Sequence, residues 1–215
     1  GRADGDGRAG RGRSRGGCVV SGDGRLIVLV RHPETEANVE HRFIGREDSP
    51  LTARGHAQIR WIGETVRASL PATVFSSPLA RARVAAEAIV RSPDRVEVME
   101  DLAEIDFGRA SGRTWAELEA AGMTPDYTGS GPIAPGGETA EAFDARVRSA
   151  AGRIIQAPGP VVVVTHGGVL RRLLVVLLDL PAEAGWRFDL PNAVIARMRL
   201  HAHGAVLEAL LPPGV

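Results

Sequence analysis

Two short runs of the chain are apolar at nearly every position, and each stops at a histidine. The first is Arg25 to Val30, followed by Arg31-His32; the second is Pro160 to Thr165, with four valines in a row, followed by His166-Gly167-Gly168. Apolar runs of this length without alternation predict strands buried on both faces. Around them the apolar positions recur at helical spacing. Thr52 to Ala68 carries Ile59, Ile62 and Val66 behind Thr52 as an N-cap. Helices are also predicted for Pro78 to Arg91, Thr114 to Ala121, Glu138 to Ile155 and Gly167 to Leu178. Shorter strands are predicted at Thr73 to Ser76 and Arg95 to Met99, with a closing pair at Ala193 to Leu200 and Val206 to Leu210. The stretch 122–137 reads as a long loop. Strands alternating with helices predict an α/β fold, a three-layer α/β/α sandwich with a mostly parallel central sheet.

Residues 1–24 stand outside this pattern. They hold nine glycines, five arginines and three aspartates, with almost nothing to bury, which predicts a disordered Gly/Arg-rich tail ahead of one domain at 25–215. With 44% apolar and 24% charged residues among 215, the composition is that of an ordinary soluble domain. All 26 basic residues are arginine. That excludes a Schiff-base lysine, a Ser-Lys dyad and a lysine-bearing P-loop. A net charge of zero argues against a nucleic-acid partner. The single cysteine, Cys18, excludes a disulfide framework and a cysteine-based zinc site. No apolar run could span a bilayer and residues 1–17 contain no apolar signal core, so the expected setting is cytoplasmic, with no membrane partner. Nothing in the pattern specifies an oligomeric state.

The chemistry gathers at the two strand ends. In open α/β sheets ligands bind at the carboxyl edge, where both His32 and His166 fall. His166 leads directly into a helix, whose free N–H groups and dipole favour an anion, and the double glycine lets a phosphate approach the backbone. Either motif alone is commonplace, an Arg-His pair or a strand-to-helix corner. Arg31-His32-Pro33-Glu34-Thr35 with Asn38, Gly45 through Thr52, Ser76-Ser77-Pro78-Leu79-Ala80-Arg81-Ala82, Leu102 through Gly108, Pro135-Gly136-Gly137-Glu138-Thr139 and Thr165-His166-Gly167-Gly168 follow one another in order. This ordered set resembles the histidine phosphatase (phosphoglycerate mutase-like) superfamily over about residues 25 to 200, and is similar to its α-ribazole phosphatase branch.

The resemblance implies a phosphomonoesterase that needs no metal or other cofactor. It implies His32 as the nucleophile, with Arg31, Arg81 and His166 binding the phosphoryl oxygens and Asn38 and Gly167 assisting. It implies Glu104 as the group that protonates the leaving oxygen and later takes a proton from water. Such a scheme is chemically coherent. Histidine can split one displacement into two, and two arginines can clamp a phosphoryl group. Burial and the adjacent phosphate dianion both favour the protonated form of Glu104 that an acid requires. Arg83 shares a helix with Arg81, and Glu100, Asp101 and Asp106 surround Glu104; the motif register selects Arg81 and Glu104. His41, His56, His201 and His203 carry no motif and read as surface or core residues, and the His201-x-His203 pair lacks a third metal ligand nearby. Two positions depart from the family pattern. Pro33 replaces the usual glycine and removes a backbone N–H beside His32, and Val84-Ala85 stands where Gln-Thr is frequent.

The expected partner is a small phosphomonoester, α-ribazole 5'-phosphate or a sugar or glycerate phosphate. Specificity is expected from the 122–137 loop and from the surroundings of Phe43 and Trp115. A phosphoglycerate mutase-type isomerase is the alternative, and an inert binding module a third. Mutases of the family carry a long insertion between the acid glutamate and the second histidine. Here those residues, Glu104 and His166, are 62 positions apart, which favours hydrolysis.

Overall fold

The computed structural model describes residues 24–129 and 131–215. The expectation of a disordered tail therefore lies outside the described residues, Gly24 apart. Eight strands are present among the described residues: β1 (Arg25–Arg31), β2 (Arg42–Phe43), β3 (Thr73–Ser76), β4 (Glu97–Val98), β5 (Arg113–Thr114), β6 (Val161–Thr165), β7 (Ile195–His201) and β8 (Gly204–Leu211). The helices are α1 (Glu36–Val39), α2 (Ala53–Arg67), α3 (Ala80–Val90), α4 (Trp115–Ala120), α5 (Ala140–Gln156) and α6 (Gly167–Leu177). The main sheet runs β4-β3-β6-β1-β7-β8. Its first four strands are parallel; β7 and β8 close it antiparallel.

The unbroken apolar runs now divide by strand period. Ile27, Leu29, Val161 and Val163 face one layer with Leu170 and Leu173 of α6 and Val147 and Ile154 of α5. Val28, Val30, Val162 and Val164 face the opposite layer with Ile62 and Val66 of α2 and Ala82, Ala86 and Ile89 of α3. This is the expected three-layer sandwich. Full burial of each such aliphatic side chain contributes roughly 1.5–3 kcal/mol, which anchors β1 and β6 firmly in the core. Ala85 is fully buried in the layer beneath α3. Thr52 caps α2 by accepting the Gly55 N–H at 2.9 Å, and Thr139 caps α5 through Ala142 at 3.1 Å.

One predicted strand changes, and short elements appear that the sequence did not predict. The strand predicted over Arg95 to Met99 shrinks to Glu97–Val98, because Pro93–Arg95 and Glu100–Leu102 are single 3₁₀ turns on either side. Helix α1 is too short to have produced a helical repeat, and it begins from Thr35, which interacts reciprocally with Asn38. The two-residue ladder of β2 with β5 likewise has no sequence period to betray it.

Candidate active site

Register places the two histidines together. β1 and β6 pair in parallel with Arg31 opposite Thr165, and the His32 N–H donates to the Thr165 carbonyl at 2.8 Å. The next residue on each strand therefore emerges at the same level, and the His32 and His166 rings lie 5.0 Å apart, centroid to centroid. β3 ends one register step away, where Ser77 N–H donates to Val164.

The His32 imidazole is 3% exposed. Burial above all, reinforced by the Arg81 and Arg31 guanidiniums, holds it well below the ordinary imidazole range, and the Pro33 carbonyl only partly opposes this. The ring is neutral. Its Nδ1 lies 2.7 Å from the Pro33 carbonyl, which can only accept, so Nδ1 carries the proton and Nε2 keeps its lone pair. The departure at position 33 leaves this contact intact. Proline has lost an N–H, but the interaction that selects the tautomer uses its carbonyl.

Around this ring stand groups with unused donors. Arg31 gives one Nη1 hydrogen to Leu190 O at 2.5 Å, and Arg81 gives Nη1 and Nη2 to Glu47 O and Gly45 O, both at 2.6 Å. In each guanidinium the buried Nε has no protein partner. His166 is fully buried, and burial, followed by the neighbouring His32 and arginines, keeps it neutral also. Its Nε2 lies 2.6 Å from Ser77 Oγ, which already accepts the Leu79 N–H at 3.2 Å. With the Ser77 proton given to Nε2, His166 Nδ1, likewise without a protein partner, carries the ring N–H. Among the described residues no carboxylate lies within 4.0 Å of Arg31. Arg81 has only Asp48, exposed and at that limit. Burying cations in this way costs several kcal/mol each unless an anion meets them, to order of magnitude. Arg83, by contrast, is half exposed and faces Glu87.

Glu104 meets the cradle from a separate loop. Its Oε2 accepts the Gly168 N–H at 3.2 Å at the start of α6, and its Oε1 accepts the Ile105 N–H at 3.0 Å. A Cβ at position 168 would sit 2.6 Å from Oε1, so only glycine lets the carboxylate approach this helix end. Arg146 of α5 anchors the loop, donating to the carbonyls of Asp101 and Ala103 at 2.9 and 2.6 Å and gripping Glu138 through both carboxylate oxygens. Glu138 in turn accepts the Asp106 N–H at 2.9 Å. The Pro-Gly-Gly-Glu-Thr segment is therefore a brace for Glu104. A Cβ on Gly137 would meet Asp106 O at 2.3 Å.

All seven predicted site residues converge. Arg31, His32, Asn38, Arg81, Glu104 and Gly167 line one cleft of about 1250 Å³, and His166, fully buried, stands 5.0 Å from the His32 ring. Phe43 lines it too, but Trp115 does not; that half-exposed ring packs near Phe43 at 6.1 Å instead. The predicted specificity loop supplies Tyr127, whose hydroxyl is pushed up by burial, then by Glu104. Sequence reasoning passed over Arg171, Trp186, Asn192 and the rim residue His41, which also line the cleft. Arg171 lies one helical turn beyond Gly167, and that spacing was the one usable signal. Trp186 sits under Arg171 at 4.9 Å and meets Tyr127 edge-on at 5.5 Å. No group of three or more His, Cys, Asp or Glu suited to a metal ion occurs among the described residues, and no helix there is long and apolar enough to cross a membrane.

The chain is 34% identical over 180 residues to "Probable phosphoglycerate mutase GpmB" of Salmonella paratyphi C (strain RKS4594), covering 80% of this chain and 83% of that one. The α-ribazole phosphatase of Shigella flexneri superposes with a TM-score of 0.79 at 27% identity, over 88% and 98% of the two chains. A mycobacterial glucosyl-3-phosphoglycerate phosphatase, solved with VO3, gives 0.74 at 26% identity, over 86% and 98%. The profile of the histidine phosphatase superfamily (branch 1) matches residues 27–211, and the chain belongs to that superfamily.

Proposed function

We propose that this protein is a phosphomonoester hydrolase that works through a phosphohistidine on His32. One observation carries the reading: a buried imidazole whose Nδ1 is taken by the Pro33 carbonyl stands beside Arg31, Arg81 and His166, whose buried Nε, Nε and Nδ1 have no protein partner. Nε2 attacks phosphorus as the P–O bond to the alcohol breaks, and the departing oxygen takes a proton that Glu104 acquires when the phosphate dianion enters beside it. The ring becomes cationic, and the Pro33 carbonyl on Nδ1–H stabilises that charge. Water then attacks phosphorus, its proton passes to the Glu104 carboxylate, and the N–P bond breaks to release phosphate and neutral His32. The guanidiniums and Asn38 hold the equatorial oxygens in both steps, a preorganised electrostatic role.

The name of the Salmonella relative supports a second reading, an isomerase that returns the phosphoryl group to another hydroxyl. Against it, α4, α5 and β6 occupy much of the Glu104–His166 interval. Between Glu104 and α5 only Ile105, Phe107, Tyr127 and Thr128 line the cleft, which leaves little chain to cover it. The cleft also exceeds the roughly 300–1,000 Å³ of ordinary small-molecule pockets. That favours a ring-bearing leaving group, of the kind in α-ribazole 5'-phosphate or a sugar phosphate, over a three-carbon acid.

The test is a panel of phosphomonoesters assayed with and without chelator, alongside an alkaline quench of labelled turnover, which preserves an N–P bond. Hydrolysis should survive the chelator, and the label should stay on the chain. His32→Ala should lower kcat by on the order of 10⁴-fold or more and abolish the label; undiminished turnover in that variant would refute the scheme.

A further inference from the structure

We infer that Asn192 is a positioning residue, which holds Asn38 in the one orientation that turns its amide N–H groups toward the phosphoryl site. This rests on the phosphoryl-transfer reading above. Asn38 Oδ1 accepts three hydrogen bonds, from Thr35 N–H at 3.1 Å, Thr35 Oγ1 at 2.9 Å and Asn192 Nδ2 at 2.9 Å. The Thr35 N–H can only donate, so an oxygen must face it and the amide is oriented without ambiguity. Asn38 Nδ2 is left over. It has no protein acceptor among the described residues, and Asn38 lines the cleft.

Asn192 is oriented by an equally rigid group. Its Nδ2 also approaches the His32 carbonyl at 3.3 Å, and a carbonyl can only accept. One NH₂ group thus bridges two acceptors, the backbone of the nucleophile and the side chain of a phosphoryl ligand. A flipped Asn38 would set its own NH₂ against the Thr35 N–H and against Asn192, with donors facing donors on both sides. Asn192 therefore disfavours the wrong rotamer in the state where no substrate yet selects the right one.

The segment bearing Asn192 is itself pinned to His32. Pro191 precedes it, and Ala193 follows with φ at 61°, a left-handed conformation that non-glycine residues seldom adopt. The Ala193 N–H donates to the same His32 carbonyl at 3.1 Å, and Val194 N–H closes the turn on Pro191 O at 3.1 Å. Backbone strain kept at such a place is consistent with a side chain whose position matters.

A double-mutant cycle tests the inference, read both as kcat/KM on a phosphomonoester and as vanadate affinity by direct titration, with Tm followed in parallel. Loss of one hydrogen bond to a charged group corresponds to roughly ten- to a hundred-fold. Asn38→Ala should fall in that range and Asn192→Ala should lose about ten-fold by the same reasoning. Because Asn192 acts through Asn38, the double variant should stay within about three-fold of Asn38→Ala alone. Asn192→Asp should be worse than Asn192→Ala, since a carboxylate would face two acceptors. Additive losses in the cycle, or an Asn192→Asp variant as active as wild type, overturn the inference while leaving the phosphatase reading intact. A wild-type protein that neither hydrolyses phosphomonoesters nor takes up vanadate overturns both.

Discussion

The two ends of the cleft are built by different means. At the inner end, Arg31, His32 and His166 continue the ends of β1 and β6, two of the most deeply buried strands, and Ser77 follows β3 in the same way. His32 and Arg31, with Arg81 beside them, bond to backbone carbonyls, Pro33 O, Leu190 O, Gly45 O and Glu47 O, whose positions the fold dictates. At the outer wall, Tyr127 comes from a loop and Trp186 from a 3₁₀ turn (Ala182–Arg187), and Trp186 is 63% exposed. There the contacts are between side chains, ring on ring and guanidinium on ring. The contrast separates two jobs. Phosphoryl chemistry needs donors placed to a fraction of an ångström and held dry, which strand ends provide. Recognition of the alcohol needs a surface that can differ between relatives, which loops provide.

Substitutions at the two ends should therefore differ in kind as well as size. Arg81→Met removes a buried donor from the inner end and should cost on the order of 10²–10³-fold in kcat/KM for every phosphomonoester. A loss confined to some leaving groups would show that Arg81 reads the alcohol instead. Glu104→Gln sits between the two ends. It should cost roughly 10²–10⁴-fold on alkyl phosphates and far less on p-nitrophenyl phosphate, whose leaving group needs no proton; equal losses on both would remove Glu104 from the acid role. Trp186→Ala, at the outer wall, should raise KM about two- to ten-fold for ring-bearing substrates through lost stacking and leave kcat for small alkyl phosphates unchanged. A fall in kcat across all substrates would erase the division.

The smallest expected effect is on stability against pH. His32 and His166 are neutral in the fold because burial lowers their proton affinity, whereas in the unfolded chain they titrate near 6.5. Below that pH the unfolded state binds more protons, so stability is complete above it and declines as pH falls. The slope is at most about 1.4 kcal/mol per pH unit for each histidine. Tm measured from pH 7.5 to 5 should drop, and less steeply in His32→Asn. An unchanged slope in that variant would mean that His32 is charged in the fold.

Much of the inner end was legible beforehand because its signals are local. An apolar run that ends at a histidine states both burial and position, and the order of motifs separated Arg81 from Arg83 and Glu104 from its acidic neighbours. The Pro-Gly-Gly-Glu-Thr segment was legible as a motif but not as a brace, since Glu138 acts through Arg146, two turns along α5, and on a loop about thirty residues earlier in the chain. Trp115 was misassigned to the cleft because aromatic identity says nothing about which way a ring faces. Arg171 and Trp186 were overlooked because arginines and exposed rings are unremarkable in isolation.

By itself, the sequence determined which strands are buried, that two histidines emerge at the carboxyl edge of the sheet, and that a glycine pair starts the helix after the second. These follow from short-range periodicity and backbone preference. Only the tertiary structure decided the side-chain partner of His166 and the orientation of Asn38. Those depend on Ser77, 89 positions from His166, and on Asn192, 154 and 160 positions from the residues it touches. Hydrogen-bond direction is a property of which groups meet in space, and partners so remote along the chain meet only once the sheet has set its register.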